Sequence, residues 1–333
     1  MSFLLDDEQR EFARSLDAML TTTDVPSVVR SWGAGDFTAG RALWSRLAEA
    51  GVFALAVPEA YEGVGPLPVE LAVAYVELGR HAVPGPVVET AAVAALLTAS
   101  ERSGPDGSET SDSSDGSGHA KRLLPAIASG EVMATVKAPG GPYALDAEAA
   151  DLCVTFADGA LHTCTGHGRT RRSADPARRL TEPGAPAELL TSDRTAFAAT
   201  DAWGTLAAAA QALGVGRALL DRTVAYVKQR KQFGTEIGSF QAVKHQLADV
   251  LLELEFATPL LYGAALTLDR ADLAAAKLTA SEAAYHASRT ALQLHGAIGY
   301  TEELDLSLWI RKAQALRTAW GSPAECRRRV LKG

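Results

Sequence analysis

From Asp201 to its end the chain reads as one helix after another with only short breaks, and this most restricts what it can fold into. Thr205 to Lys231, Phe240 to Leu268, Ala271 to His295 and Ser307 to Trp320 each sustain helical character, and the first stops near Gly234. In the second, Phe240, Val243, Leu247, Leu251 and Leu254 recur at spacings of three and four, the signature of one helical face. Long helices joined by short loops bury such faces as an antiparallel bundle. The run from Leu206 to Leu220 carries Gln211 and Arg217, so it is too polar and too short to span a bilayer.

The chain up to Ala99 is also mostly helical, but in shorter pieces. Ser2 is positioned to cap a helix running through Leu20, with Phe3, Leu4, Phe12, Leu16 and Leu20 as its apolar stripe. Further helices cover about Ala39 to Ala50, stopping at Gly51, then Val69 to Arg80 and Val87 to Ala99. The stretch VPEAYEGVGPLP, from Val57 to Pro68, is a loop. Residues 100–119 are mostly Ser, Gly and Asp without an aliphatic side chain. Such a stretch cannot offset its ordering entropy by burial and reads as a mobile surface insert.

From about Val132 to Thr200 helical periodicity fades. Met133–Val136, Leu152–Phe156 and Leu161–Cys164 read as strands, and Asp158-Gly159 is a hairpin turn signal. The expected organisation is a helical segment over 1–131, a small β segment over 132–200 and a four-helix bundle over 201–333.

Composition removes several functions. Lys plus Arg number 32 against 40 Asp plus Glu, a net charge of -8, so the chain lacks the basic footprint that nucleic acid requires. Three cysteines, Cys153, Cys164 and Cys326, make no disulfide framework, and a reducing compartment is the default. The N-terminal residues do not form a signal peptide, so a cytoplasmic location without membrane contact is expected. Gly214-Val-Gly216 follows no strand, which disqualifies it as a dinucleotide fingerprint. His162, Cys164 and His167, with Cys153 nearby, fit no standard zinc spacing, so no metal is expected. The arginines at 169, 171, 172, 178 and 179 read as a solvated loop.

One segment carries more chemistry. Arg230 lies at a helix end just before Phe233 and Gly234. An arginine there presents a planar fork to phosphate, and a phenylalanine lays an apolar face against a flat ring. On physical grounds alone the plainer account is preferred, an arginine favoured by the helix C-terminus and a phenylalanine in the core.

The string RKQFG, followed by FQAVKHQLAD from Phe240, resembles the C-terminal signature of the acyl-CoA dehydrogenase family. Gln293-Leu-His-Gly296-Ala-Ile-Gly299-Tyr-Thr-Glu is similar to that family's Q-x-x-G-G-x-G stretch. Trp44–Gly51 and Val57-Pro-Glu-Ala-Tyr-Glu-Gly63-Val-Gly65 resemble its N-terminal helix and VPExxGGxG loop. The resemblance implies a mostly α fold with an N-terminal helical domain, a small β middle domain and a C-terminal four-helix bundle. It implies FAD and oxidation of an acyl-CoA thioester to the 2,3-enoyl form, with a carboxylate taking the α-proton and the flavin the hydride. It also implies that Arg230 contacts the FAD pyrophosphate, Phe233 the flavin's surroundings, and Gln293 with Gly296 the adenylate end, on FAD held mainly by a neighbouring subunit.

The departures are specific. Trp320 stands where the family's base is a Glu, and indole cannot accept an α-proton. An alternative family position for the base falls near Gly204, where Asp201, about one turn away, is a poor substitute. Val136–Tyr143 lacks the Thr-Glu and Ser-Asp pairs of the family's flavin loop. The expectation is therefore a subunit with no catalytic residue of its own, completing the FAD site of a homologous catalytic subunit in an α2β2 complex. Such a complex acts on an acyl-CoA, steroid side-chain thioesters included, and passes electrons to an acceptor such as electron-transfer flavoprotein. The alternatives are a self-sufficient enzyme using Asp201, Glu302, Glu303 or Glu325, and a non-redox binding or scaffold relative.

Overall fold

The computed structural model describes residues 5–102, 117–137 and 141–332. The helices α1 (Asp7–Thr21), α2 (Val25–Ala34), α3 (Thr38–Glu49), α4 (Pro68–Arg80), α5 (Val87–Arg102) and α6 (Ser117–Ala128) come first. The strands β1 (Ala134–Val136), β2 (Ala144–Leu145), β3 (Leu152–Ala157), β4 (Ala160–Arg171) and β5 (Leu180–Thr191) follow. The rest is α7 (Arg194–Gln229), a short hairpin of β6 (Lys231–Gln232) and β7 (Thr235–Glu236), then α8 (Gln241–Thr267), α9 (Arg270–His295), α10 (Leu306–Leu316) and α11 (Pro323–Lys332). The fold is mostly α with a small β region, as the sequence implies.

Several boundaries differ from expectation, each for a local reason. Asp6 rather than Ser2 caps α1: its carboxylate accepts from Gln9 N at 2.8 Å while the Gln9 side chain accepts from Asp6 N, a reciprocal capping box. Ser2, Phe3 and Leu4 lie outside the described residues, as do 103–116 of the Ser/Gly insert. Ser100–Arg102 and Ser117–His119, at the insert's two ends, are helical. α2 and α6 were not expected. One holds three valines and Pro26, the other Pro125, all poor helix formers, and burial of Val28, Val29 and Trp32 or of Leu124 and Ile127 overrides propensity. α7 starts at Arg194 rather than Thr205, because Asp193 caps it by accepting from Thr195 N at 2.8 Å. α11, beyond the last expected helix, docks through Cys326.

The chain divides into two compact units. One comprises Met1–Val29, Ala72–Val83 and Thr205–Gly333, the other Arg30–Leu71 and Pro84–Gly204. In the first, Leu16 and Leu20 of α1, Ala72 to Val76 of α4 and Leu206 to Val215 of α7 are buried. α4 and α7 cross backbone to backbone: a Cβ on Gly214 would lie 1.9 Å from the Val76 carbonyl oxygen, and one on Gly79 2.2 Å from that of Gln211. Gly214 therefore serves helix packing, which agrees with its rejection as a nucleotide motif. The buried stripe of α8 is Val250, Leu254, Ala257, Leu261 and Ala264, whereas Phe240 and Leu251, expected on it, are exposed. The stripe steps by three from Leu247 to Val250, so it drifts round the helix and leaves Leu251 outside.

In the second unit a five-stranded sheet has the order β1-β3-β4-β5-β2, with β1 parallel to β3 and the other pairs antiparallel. Asp158 and Gly159 both have positive φ, 49° and 79°, and form the tight β3–β4 turn expected of them. Trp44 stacks on Phe53 at 4.0 Å and donates its indole N–H to Gly130 O at 3.1 Å. Two arginines of the expected solvated loop are structural instead. Arg178 is buried, and Arg179 pairs with Glu148 while donating to Gly33 O at 3.1 Å.

Candidate functional site

The first unit brings together the C-terminal ends of α7 and α9. Tyr226, in the last turn of α7, stacks on His295, the last residue of α9, with ring centroids 4.1 Å apart. His295 Nδ1 lies 2.7 Å from Ala291 O, and burial holds its imidazole below the usual histidine range. Arg230 follows one turn after Tyr226 and Gln293 precedes His295 by two residues, so both belong to this end of the bundle.

Arg230 and Gln293 are exposed at their side chains, and the backbone around Arg230 is tied down. Arg230 N–H donates to Tyr226 O and its carbonyl accepts from Ile237 N–H, both at 2.9 Å, which joins α7 to the β6–β7 hairpin. The hairpin turn is Phe233-Gly234, with φ of 52° and 81°. Positive φ at both central residues matches the twist of a two-residue hairpin and makes glycine the natural second residue. The turn carries Phe233 outward, 92% exposed, with the Phe240 ring 6.4 Å from it between centroids. The core account of this phenylalanine is thereby corrected. Gly296 ends α9 with φ 64° and ψ -141°, its N–H reaching the Gln293 and Leu292 carbonyls. Arg230, Gln293 and Gly296 are exposed, and Tyr300 beside them is 76% exposed. A fork of guanidinium donors, a primary amide and two exposed aromatic rings suit a phosphorylated ligand with flat ring systems.

Trp320 lies elsewhere in this unit and is 6% exposed. Lys277 on α9, fully buried, donates from Nζ to Leu316 O at 3.0 Å, Gly321 O at 3.3 Å and Arg317 O at 3.5 Å. One ammonium thus satisfies the carbonyls that end α10 and fixes the loop holding Trp320. Within it Trp320 has φ 57°, and its carbonyl lies 3.4 Å from Thr205 Oγ1. The loop is rigidly built around an indole, with no carboxylate on it. Lys277 had no signal in the sequence, since a lysine among alanines looks like any exposed helical lysine.

The other carboxylates weighed as bases have different placements. Asp201 is half-buried on the part of α7 that belongs to the second unit. Glu302 pairs with Arg311 at 2.5 Å, and Glu325 accepts from Ser322 N at 2.8 Å and Ser322 Oγ at 2.6 Å, capping α11. Glu303 is exposed. Among the described residues the grouped metal-ligating side chains are Asp17, Glu77 and His81, and the His162/Cys164/His167 set is not among them. In the second unit, Lys137 N–H donates to Val154 O at 2.9 Å, so this part of the Val136–Tyr143 stretch is engaged in the sheet. Residues 138–140 lie outside the described residues.

The sequence profile of the acyl-CoA dehydrogenase C-terminal domain matches residues 198–333, and that of the N-terminal domain matches residues 6–102. Acyl-CoA dehydrogenase IpdE2 of Mycobacterium tuberculosis is 33% identical over 331 residues, covering 97% of this chain and 96% of that protein. The chain belongs to the acyl-CoA dehydrogenase family. IpdE2 of Mycolicibacterium smegmatis is 32% identical over 329 residues, covering 97% and 98%. Butyryl-CoA dehydrogenase from Megasphaera elsdenii shares the fold at TM-score 0.82 and 20% identity, covering 100% of this chain and 99% of that one. A chain of the ChsE4-ChsE5 complex from Mycobacterium tuberculosis shares it at TM-score 0.83 and 22% identity, covering 100% and 98%.

Proposed function

We propose that this acyl-CoA dehydrogenase family member is the non-catalytic subunit of a heteromeric enzyme. It completes an FAD site held mainly by a homologous partner and takes no proton itself. The observation that carries the reading is the buried indole of Trp320 in a loop clamped by Lys277, at the position where the family resemblance expects the base. An indole has no basic lone pair, so proton abstraction has to come from the partner chain. FAD bound at the shared site supplies the hydride acceptor. From this chain, Arg230 would hold the pyrophosphate, Gln293 and Gly296 would meet the adenylate end, and Phe233 would shield the ring system.

Two further observations support a partner. The cofactor-facing groups point outward from their own unit, as groups serving a neighbour must. α8 also exposes Leu251, Leu252, Phe256, Leu260 and Leu266, with Phe256 70% exposed. α8 is long and apolar enough to cross a membrane. Its apolar surface is better explained as cover for a second subunit, since Glu253 and Glu255 interrupt it at mid-length. The substrate class is an acyl-CoA thioester, steroid side-chain thioesters included, and a Tcur3481-Tcur3483 steroid ACAD variant shares the fold at TM-score 0.81 and 22% identity. Electron-transfer flavoprotein or a similar acceptor would reoxidise the complex, in the cytoplasm. The domain reading that accompanies this function is 1–131, 132–200 and 201–333.

The test is flavin content. The chain purified alone should be nearly colourless, and co-expression with the homologous subunit should give a yellow complex that reduces an artificial acceptor with acyl-CoA. Near-stoichiometric flavin in the chain alone would overturn the reading.

A further inference from the structure

The β3–β4 hairpin holds two thiols that the proposed FAD site of this chain does not use. The register runs Ala157 to Ala160, Phe156 to Leu161, Thr155 to His162 and Val154 to Thr163. Continued one residue beyond the Val154–Thr163 pair, the same spacing sets Cys153 opposite Cys164. The two side chains lie on one face, where Cys164 packs against the small core of Ala144, Ala147 and Cys153. Directly opposed residues of antiparallel strands have Cα atoms about 4.5–5.5 Å apart. That lies inside the window of about 4.4–6.8 Å that a disulfide spans.

We propose that Cys153 and Cys164 are an oxidation site, forming an intramolecular disulfide when the protein meets a two-electron oxidant such as hydrogen peroxide. The two sulfurs have distinct roles. Cys164 is half-buried and Cys153 is buried, so the oxidant reaches Cys164. The neighbouring thiol and burial raise the Cys153 thiol, whereas the neighbouring thiol and the nearby Lys137 ammonium lower that of Cys164. Cys164 is therefore the attacking thiolate and Cys153 the resolving thiol. The Cys164 thiolate attacks one peroxide oxygen, an S–O bond forms as the O–O bond breaks, and hydroxide leaves and collects a proton to become water. The Cys153 sulfur then displaces the hydroxyl from the Cys164 sulfenic acid. An S–S bond forms, and the departing hydroxyl leaves as water with the Cys153 proton. Two thiols lose two electrons and the peroxide gains them. The bond staples β3 to β4 beside Lys137, whose N–H is bonded to Val154 O of the same strand.

The experiment treats the full chain with hydrogen peroxide, then counts free thiols and maps the peptides by mass spectrometry. Of the three thiols, one should survive, at Cys326, which is buried in the other unit. A cross-linked peptide joining the Cys153 and Cys164 segments should appear and vanish on treatment with dithiothreitol. Cys153→Ser should stop the reaction at a sulfenic acid on Cys164 that dimedone traps, and Cys164→Ser should leave Cys153 as a thiol. Lys137→Gln should slow the first step severalfold. Survival of all three thiols, loss centred on Cys326, or a Cys164 that dimedone does not label in Cys153→Ser would overturn the proposal.

Discussion

Gly214→Ala tests whether that glycine serves packing or a cofactor. The added Cβ would lie 1.9 Å from the Val76 carbonyl oxygen and 2.8 Å from Arg80 N, both backbone atoms that no rotamer change can move. Ordinary contact begins at 3.4 Å, so α4 and α7 must part by about 1.5 Å at their crossing. Overpacking of this kind typically costs about 1–3 kcal/mol and occasionally more, because the contacts around the crossing loosen together. Against it stands a gain of about 1 kcal/mol from replacing glycine by alanine within a helix. With backbone on both sides of the clash the upper end applies, and a net loss of about 2 kcal/mol is expected, a fall in Tm of roughly 3 °C for a chain of 333 residues. Thermal unfolding followed by circular dichroism measures it. Gly118→Ala, where a Cβ meets nothing within 4 Å, is the control and should leave Tm unchanged or slightly higher. A Gly214→Ala protein that melts with wild type but loses flavin in the complex would refute the packing account.

Three other perturbations have defined outcomes. Arg230→Ala should lower flavin retention of the complex by about ten- to a hundredfold, the loss of one charge-assisted contact, without changing the Tm of the isolated chain; unchanged flavin content would remove Arg230 from the site. Trp320→Glu should produce no enoyl-CoA in the chain alone, because a base without a hydride acceptor leaves half of the bond breaking unassisted, and turnover with an artificial acceptor would show that a complete flavin site survives. Glu77 is buried and its carboxyl is pushed up to about 7 from 4.5. The folded state therefore binds the proton more tightly than the unfolded one. Its contribution is fully present below about pH 4.5 and is lost as pH rises to about 7, up to roughly 3 kcal/mol. Glu77→Gln should flatten denaturant stability between pH 5 and pH 8, and an unaltered pH slope would count against the burial of that charge.

Much was legible in the chain because it rests on local periodicity and punctuation. The extents of α8 and α9 are legible to within a residue or two, since Gly296 and Asp269 stop and start helices by backbone rules that act over one turn. The β3–β4 turn at Asp158-Gly159 was legible for the same reason, and so was the indole at Trp320, an identity that no folding can alter. What lay beyond reach were choices made by distant contacts. α2 and α6 contain residues that disfavour helix and are held by burial of valine, tryptophan and leucine. Phe233 looked like a core residue, yet a two-residue turn with positive φ throws its ring into solvent. Arg178 and Arg179 read as solvated and are structural, and Lys277, without a signal in the sequence, is a buried clamp on three carbonyls. The sequence by itself determined the helical class, the turns, the family pattern and the indole at Trp320, because these depend on residue type and near neighbours. Only the tertiary structure decided which polar groups are buried and which apolar ones are exposed, because the cost of desolvating a side chain is set by atoms far away in the chain.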